Sequence, residues 1–144
     1  EFAARVGLDA GAVLQGRVQG HDETVHLSLV NVDGMCLWVR KLDVTVGTPV
    51  RLHIRANDVS LALSEPGDIS IQNRLSGVIE SVVSDSHPAQ CIVSVKCKSA
   101  TVLSRVTRKA ATHLQLRAGV QVWCLIKSVA LSFGSPEDIT SRST

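Results

Sequence analysis

An all-β fold made of two tandem small barrels, with one short helix in the second, is predicted by three features of this 144-residue chain. Composition is the first: 44% of residues are hydrophobic but only 3% aromatic, with no tyrosine. The apolar mass is therefore Val, Leu, Ile and Ala, which suits strands in barrels or sandwiches. The second is an internal repeat. Leu14-Gln-Gly-Arg-Val18 is rewritten as Leu75-Ser-Gly-Val-Ile79, Val25-His-Leu-Ser-Leu29 as Cys91-Ile-Val-Ser-Val95, and Gly47-Thr-Pro-Val-Arg-Leu-His-Ile54 as Gly119-Val-Gln-Val-Trp-Cys-Leu-Ile126. The third is a two-residue alternation of apolar positions, the signature of strands with one buried face.

In the first copy, 14–18 opens the repeat as the counterpart of 75–79. Residues 25–30 and 35–39 form a hairpin about the Asp33-Gly34 turn. Val50, Leu52 and Ile54 alternate with Arg51, His53 and Arg55, and Val59, Leu61 and Leu63 resume after an interruption at Asn57-Asp58. Ser64-Glu-Pro-Gly-Asp68 has linker character and marks the boundary. In the second copy, 75–83 is a strand and Ser84-Asp-Ser-His-Pro88 a turn. Cys91, Val93, Val95 and Cys97 face inward against Ile92, Ser94, Lys96 and Lys98, and 101–106 is a third strand. Residues 107–114 form the helix, with Thr107 as N-cap and Ala110, Ala111 and Leu114 as its apolar face. Val120, Val122, Cys124 and Ile126 then alternate with Gln121, Trp123, Leu125 and Lys127. Five short strands with a helix between the third and the last resemble the OB-fold, a small Greek-key barrel. The expected units are 1–65, a first OB-like subdomain, 66–134, a second, and 135–144, a flexible tail.

Fifteen basic against 13 acidic residues leave a net charge of +2, too little to announce a nucleic-acid partner. Any anion held is expected to be small. Cys36, Cys91, Cys97 and Cys124 form no Cys-x-x-Cys pair and are expected to be reduced core residues. No apolar run approaches the roughly 18 residues of a membrane span and no signal peptide opens the chain. It begins Glu1-Phe2, without methionine, so a preceding segment is expected.

One constellation carries chemistry. Ser70-Ile-Gln-Asn73 enters the second copy and Ile126-Lys-Ser128 leaves it, and a curled sheet brings such chain ends together. Hydroxyls, an amide, backbone N–H groups and one ammonium around a point suit a tetrahedral oxyanion, with no nucleophile or base required. Taken singly, Lys127 is an ordinary strand lysine facing water, and Ser70 to Asn73 an ordinary turn. Their pairing across one repeat makes the pattern specific. His21 and His26 are five apart with no third ligand, so they read as a loop and not a zinc site. His87 reads as a turn residue, His53 and His113 as surface positions. No serine has a hydrolase setting.

At these residues the chain resembles the C-terminal domain of the ATP-binding subunit of bacterial molybdate importers. The resemblance runs from about Leu14 to Phe133 and is carried by Ile54-Arg-Ala-Asn-Asp-Val-Ser-Leu-Ala-Leu63, Ser70-Ile-Gln-Asn-Arg-Leu75 and Ile126-Lys-Ser-Val-Ala-Leu131. The second half is similar to the Mop domain of the transport-associated OB (TOBE) group. The resemblance implies a non-catalytic regulatory domain that binds molybdate or tungstate where subunits meet, with no cofactor and no metal site. It implies a homodimer, an upstream ATPase domain and membrane permease subunits, on the cytoplasmic face of the inner membrane. Carried over by motif, the oxyanion residues are Ser70, Asn73, Thr107, Lys127 and Ser128, with Gln72 as a donor where the family often has arginine. Ala110 stands where the family often has serine. No Gly-x-x-x-x-Gly-Lys-Ser/Thr loop occurs in these residues, so ATP hydrolysis is not expected of them.

Three rival readings follow from the same features. Single-stranded nucleic acid would need stacking aromatics in a basic groove, and Phe2, Trp38, Trp123 and Phe133 make no track. A pure dimerisation module with a lapsed pocket is supported by Gln72 and Ala110. A molybdate storage or sensor protein would carry Ser-x-x-Asn before both copies, and Leu8-Asp-Ala-Gly-Ala-Val13 lacks it.

Overall fold

The computed structural model describes residues 10–133, so the expected tail over 135–144 lies outside the described residues. In chain order these hold β1 (Gly11–Asp22), β2 (Leu27–Val32), β3 (Met35–Arg40), β4 (Pro49–Arg55), a 3-10 turn (Ala56–Asp58), β5 (Val59–Ala62), β6 (Asn73–Ser84), β7 (Gln90–Cys97), β8 (Ala100–Thr107), α1 (Arg108–His113), β9 (Gln121–Ile126) and β10 (Ala130–Phe133). The strands form two five-stranded antiparallel sheets, ordered β10-β4-β1-β2-β3 and β5-β9-β6-β7-β8. The architecture is the tandem OB-like one, with its α-helix in the second unit.

The repeat is visible bond by bond. Gly47 N–H donates to Val18 C=O at 2.7 Å and Gly119 N–H to Ile79 C=O at 2.8 Å, while Val18 N–H reaches Thr48 C=O at 3.0 Å and Ile79 N–H reaches Val120 C=O at 2.9 Å. Gly47 (φ 97°) and Gly119 (φ 94°) sit in the left-handed region that glycine adopts without steric cost. Each long first strand breaks register at the matching place, after Val18 in β1 and after Ile79 in β6. This bulge bends the strand and lets the sheet curl. The second strands match one residue away from the alignment read in the sequence. Val30 lies opposite Val18 as Val95 lies opposite Ile79, so Val30, not Leu29, is the counterpart of Val95. Strand β2 correspondingly begins at Leu27, because 23–26 make the turn and His26 adopts φ 59°.

The two copies exchange their last strands. After β4 the chain passes through the 3-10 turn and β5 joins β9 in the second sheet, whereas β10, after β9, returns to pair with β4 in the first. The linker at Ser64–Asp68 thus runs between two strands of the second sheet. That sheet curls until its edges touch, and the buried Ser104 Oγ of β8 donates to Val59 C=O of β5 at 2.6 Å. One continuous core spans both sheets, from Leu14, Val30, Leu37, Leu52 and Ile54 to Ile79, Val95, Val102, Val122 and Ile126. A unit of roughly 60 residues buries only about 60% of its chain's surface, and the shared core adds to what each copy would bury alone.

Burial corrects three expectations. Ile92 and Ser94, read as an outward face of β7, are buried; Ile92 packs with Ala10, Ala56 and Leu103, because the first copy covers that side. Leu125, also read as outward, is buried as well, on the strand that runs between β5 and β6. Cys36 is exposed on edge strand β3, while Cys91, Cys97 and Cys124 are buried as expected. The Cys124 thiol, hydrogen-bonded to the Cys97 sulfur and buried, is pushed far above the ordinary cysteine range.

Candidate oxyanion site

Strand pairing brings the two chain ends of the second unit together. Asn73, the first residue of β6, lies opposite Ile126, the last of β9, so Gln72 and Lys127 are the next residues outward at the same end of the sheet. Ser128 follows Lys127 directly and Ser70 lies two residues before Gln72, and Ser70, Gln72, Lys127 and Ser128 are all exposed. Lys127 is fixed through its backbone, where its N–H donates to Asp58 C=O at 2.8 Å. Among the described residues its ammonium has no ion-pair partner, and the backbone N–H groups of Ser70, Ile71, Gln72 and Ser128 have no protein acceptor. A free cation and free N–H donors at one sheet end are the donor set that a small dianion takes.

Asn73 is differently employed. Its Oδ1 accepts from Trp38 N–H and its Nδ2 donates to Trp38 C=O, both at 2.8 Å, so its amide is committed to β3 of the first unit. Arg74, the next residue, gathers the entering loop: Nε reaches Ile71 C=O at 3.1 Å, Nη1 reaches Pro66 C=O at 2.6 Å and Nη2 reaches Gly67 C=O at 3.5 Å, with the Glu65 carboxylate 3.5 Å from Nη1. Trp38, Arg74 and Asp58 are organisers that sequence reasoning did not single out. Trp38 and Asp58 contribute backbone atoms and Arg74 binds backbone carbonyls, and backbone leaves no pattern in side-chain identity.

Thr107 lies elsewhere. It pairs with Gln90 at the start of β7, next to Cys91, which pairs with Ser84 at the far end of the 12-residue β6. It is the N-cap of α1 as expected, its Oγ1 accepting from Ala110 N–H at 3.0 Å, which leaves the hydroxyl hydrogen free to donate elsewhere. Within one chain Thr107 therefore stands at the opposite end of the sheet from Lys127.

The histidines serve the scaffold. His21 Nε2 lies 2.8 Å from Val44 C=O, which can only accept, so Nε2 carries the proton and Nδ1 accepts from Ser28 Oγ at 2.7 Å; Ser28 Oγ in turn accepts from Leu42 N–H at 2.9 Å. His53 is half-buried, with Nε2 2.8 Å from Ser132 Oγ across the β4–β10 pair, so its expected surface position is only partly kept. His87 Nδ1 accepts from Ala89 N–H at 3.0 Å within its turn. Among the described residues no group of three His, Cys, Asp or Glu side chains could hold a metal ion, and no helix is long and apolar enough to cross a membrane.

The chain is similar to known proteins in both sequence and fold. The TOBE domain model matches residues 69–133. The molybdenum import ATP-binding protein ModC of Methylococcus capsulatus is 37% identical over 131 residues, covering 91% of this chain and 37% of that protein. ModC 2 of Azotobacter vinelandii is 40% identical over 123 residues, covering 85% of this chain and 34% of that protein. The chain thus spans about a third of the length of the curated relatives it matches. A solved structure of the cytoplasmic molybdate-binding protein ModG, with molybdate bound, superimposes with a TM-score of 0.75 at 21% identity, covering 93% of this chain and 99% of that one. At that identity the likeness establishes the shared fold. Residues 69–133 thus match the TOBE domain model, and most of the chain is similar to about a third of the molybdenum import ATP-binding proteins.

Proposed function

We propose that this chain is a non-catalytic regulatory segment that binds molybdate or tungstate at the end of its second sheet. The pairing of Asn73 with Ile126 supports the reading most, because it puts the segment 70–72 and the segment Lys127-Ser128 at the same end of the sheet. Lys127 supplies charge, Ser70 and Ser128 supply hydroxyls and backbone N–H groups, Gln72 supplies an N–H and an amide, and Asn73 fixes the strand. Thr107, at the far end of the sheet, reaches such an anion only from a second copy, so the complete site belongs to a homodimer. In a longer protein with an ATPase domain and permease partners at the cytoplasmic face of the membrane, occupancy would favour one arrangement of paired domains and so modulate transport. No cofactor is required.

Thermal unfolding with molybdate, tungstate and sulfate, on wild type and Lys127→Ala, tests the proposal. Ligand at about 100 times its Kd stabilises the folded state by about 2.7 kcal/mol. Wild type gains that stabilisation from molybdate and Lys127→Ala loses most of it. Equal and negligible shifts with all three anions would instead favour a dimerisation module without a working site, the second reading, which Gln72 and Ala110 support.

A further inference from the structure

We infer that Arg74 is a positioning residue that turns the Gln72 N–H toward the oxyanion, an inference that deepens the reading above and rests on it. Successive residues of a strand point to opposite faces, so Asn73 grips Trp38 while Arg74 turns back onto the linker. Three backbone carbonyls, of Pro66, Gly67 and Ile71, converge on its guanidinium. In a planar trans peptide the C=O and the N–H point in opposite directions. Holding the Ile71 C=O at 3.1 Å from Nε therefore directs the N–H of the same peptide, that of Gln72, away from the guanidinium. That N–H has no acceptor among the described residues, and Gln72 is the residue alongside Lys127. The linker is thus held on its carbonyl side so that a donor is presented on the other.

The task needs arginine. A guanidinium offers five donors in a rigid plane, whereas lysine offers one compact charge on a flexible stem. Charge alone is a weaker explanation, since Glu65 at 3.5 Å offsets part of it. The test is a sodium molybdate titration of the 15N-labelled 144-residue chain, followed by amide resonances, for wild type, Arg74→Lys and Arg74→Ala, with sodium sulfate as the salt control. In wild type the Gln72 amide should shift saturably. In Arg74→Lys the fold persists, affinity for molybdate falls roughly tenfold, the Gln72 response shrinks and the amides of 67–72 gain mobility on the ps–ns scale. Should Arg74→Ala fail to fold, Arg74→Lys carries the test. An Arg74→Lys chain that binds as wild type does, or that weakens while the Gln72 response is unchanged, overturns this inference alone. A wild-type chain in which no amide responds to molybdate overturns both it and the oxyanion reading.

Discussion

The side-chain amide of Asn73 substitutes for a missing strand neighbour, accepting from and donating to the backbone of Trp38 on the edge strand β3. Two half-buried hydrogen bonds tie the first residue of β6 to the first sheet. Asn73→Ala should cost about 1–3 kcal/mol in denaturant unfolding, since it leaves both Trp38 groups unpaired. Asn73→Asp keeps the acceptor but loses the donor and adds a negative charge, so it should also weaken oxyanion binding. Ser104→Ala removes the clasp between the edges of the second sheet and strands the Val59 carbonyl, at a similar cost. What was legible at this scale depended on the partner. Thr107 was legible as a cap because its hydroxyl oxygen accepts from an N–H that the first helical turn leaves unpaired three residues on. Arg74 and Asp58 were not, because what they bind is backbone, which any sequence supplies.

The matched glycines show at the scale of strands why the repeat persists. A Cβ on Gly77 would stand 2.5 Å from Lys96 C=O and 2.8 Å from Cys97 Sγ; on Gly16 it would meet Val30 Cγ1 at 2.7 Å and Asn31 C=O at 2.8 Å. Both strands approach their neighbours too closely for any side chain. Gly77→Ala should destabilise by about 1–3 kcal/mol or more, whereas Gly20→Ala, with open space at its Cβ, should stay within about 0.5 kcal/mol. Chemical denaturation of the two variants checks the contrast. Every expected strand formed, because alternation reports one buried face wherever it occurs. The one-residue slip of β2 and the burial of Ile92 were not legible, since the bulge that sets register and the first copy that covers Ile92 are tertiary facts. Strand β10 and the exchange it completes were missed too, because 130–133 is too short to announce itself and its partner strand lies in the other copy.

Exchange of β5 and β10 makes the halves thermodynamically one object, each sheet depending on a strand delivered by the other copy. A single cooperative transition is therefore expected. Trp38 lies in the first sheet and Trp123 in the second, so Trp38→Phe and Trp123→Phe chains, each reporting on one sheet, should melt with the same midpoint. Distinct midpoints would contradict the shared core. Acid should loosen the assembly. Asp33 accepts from the Ser99 hydroxyl and N–H, joining the β2–β3 and β7–β8 hairpin tips, and Asp85 accepts from Ser86 N–H and Arg105; both carboxyls are thereby held below the ordinary 3.8. The unfolded chain then binds more protons, so this stabilisation is complete above about pH 4 and is lost as pH falls through the lower folded values. Asp33→Asn should flatten that acid limb. Anomalous diffraction at the molybdenum edge, from crystals grown with molybdate, shows whether a small oxyanion sits between the segment entering β6 and the segment leaving β9. A peak is expected between 70–72 and Lys127-Ser128. Ordered crystals with no peak there at saturating molybdate, or with one only at a remote surface, would contradict it.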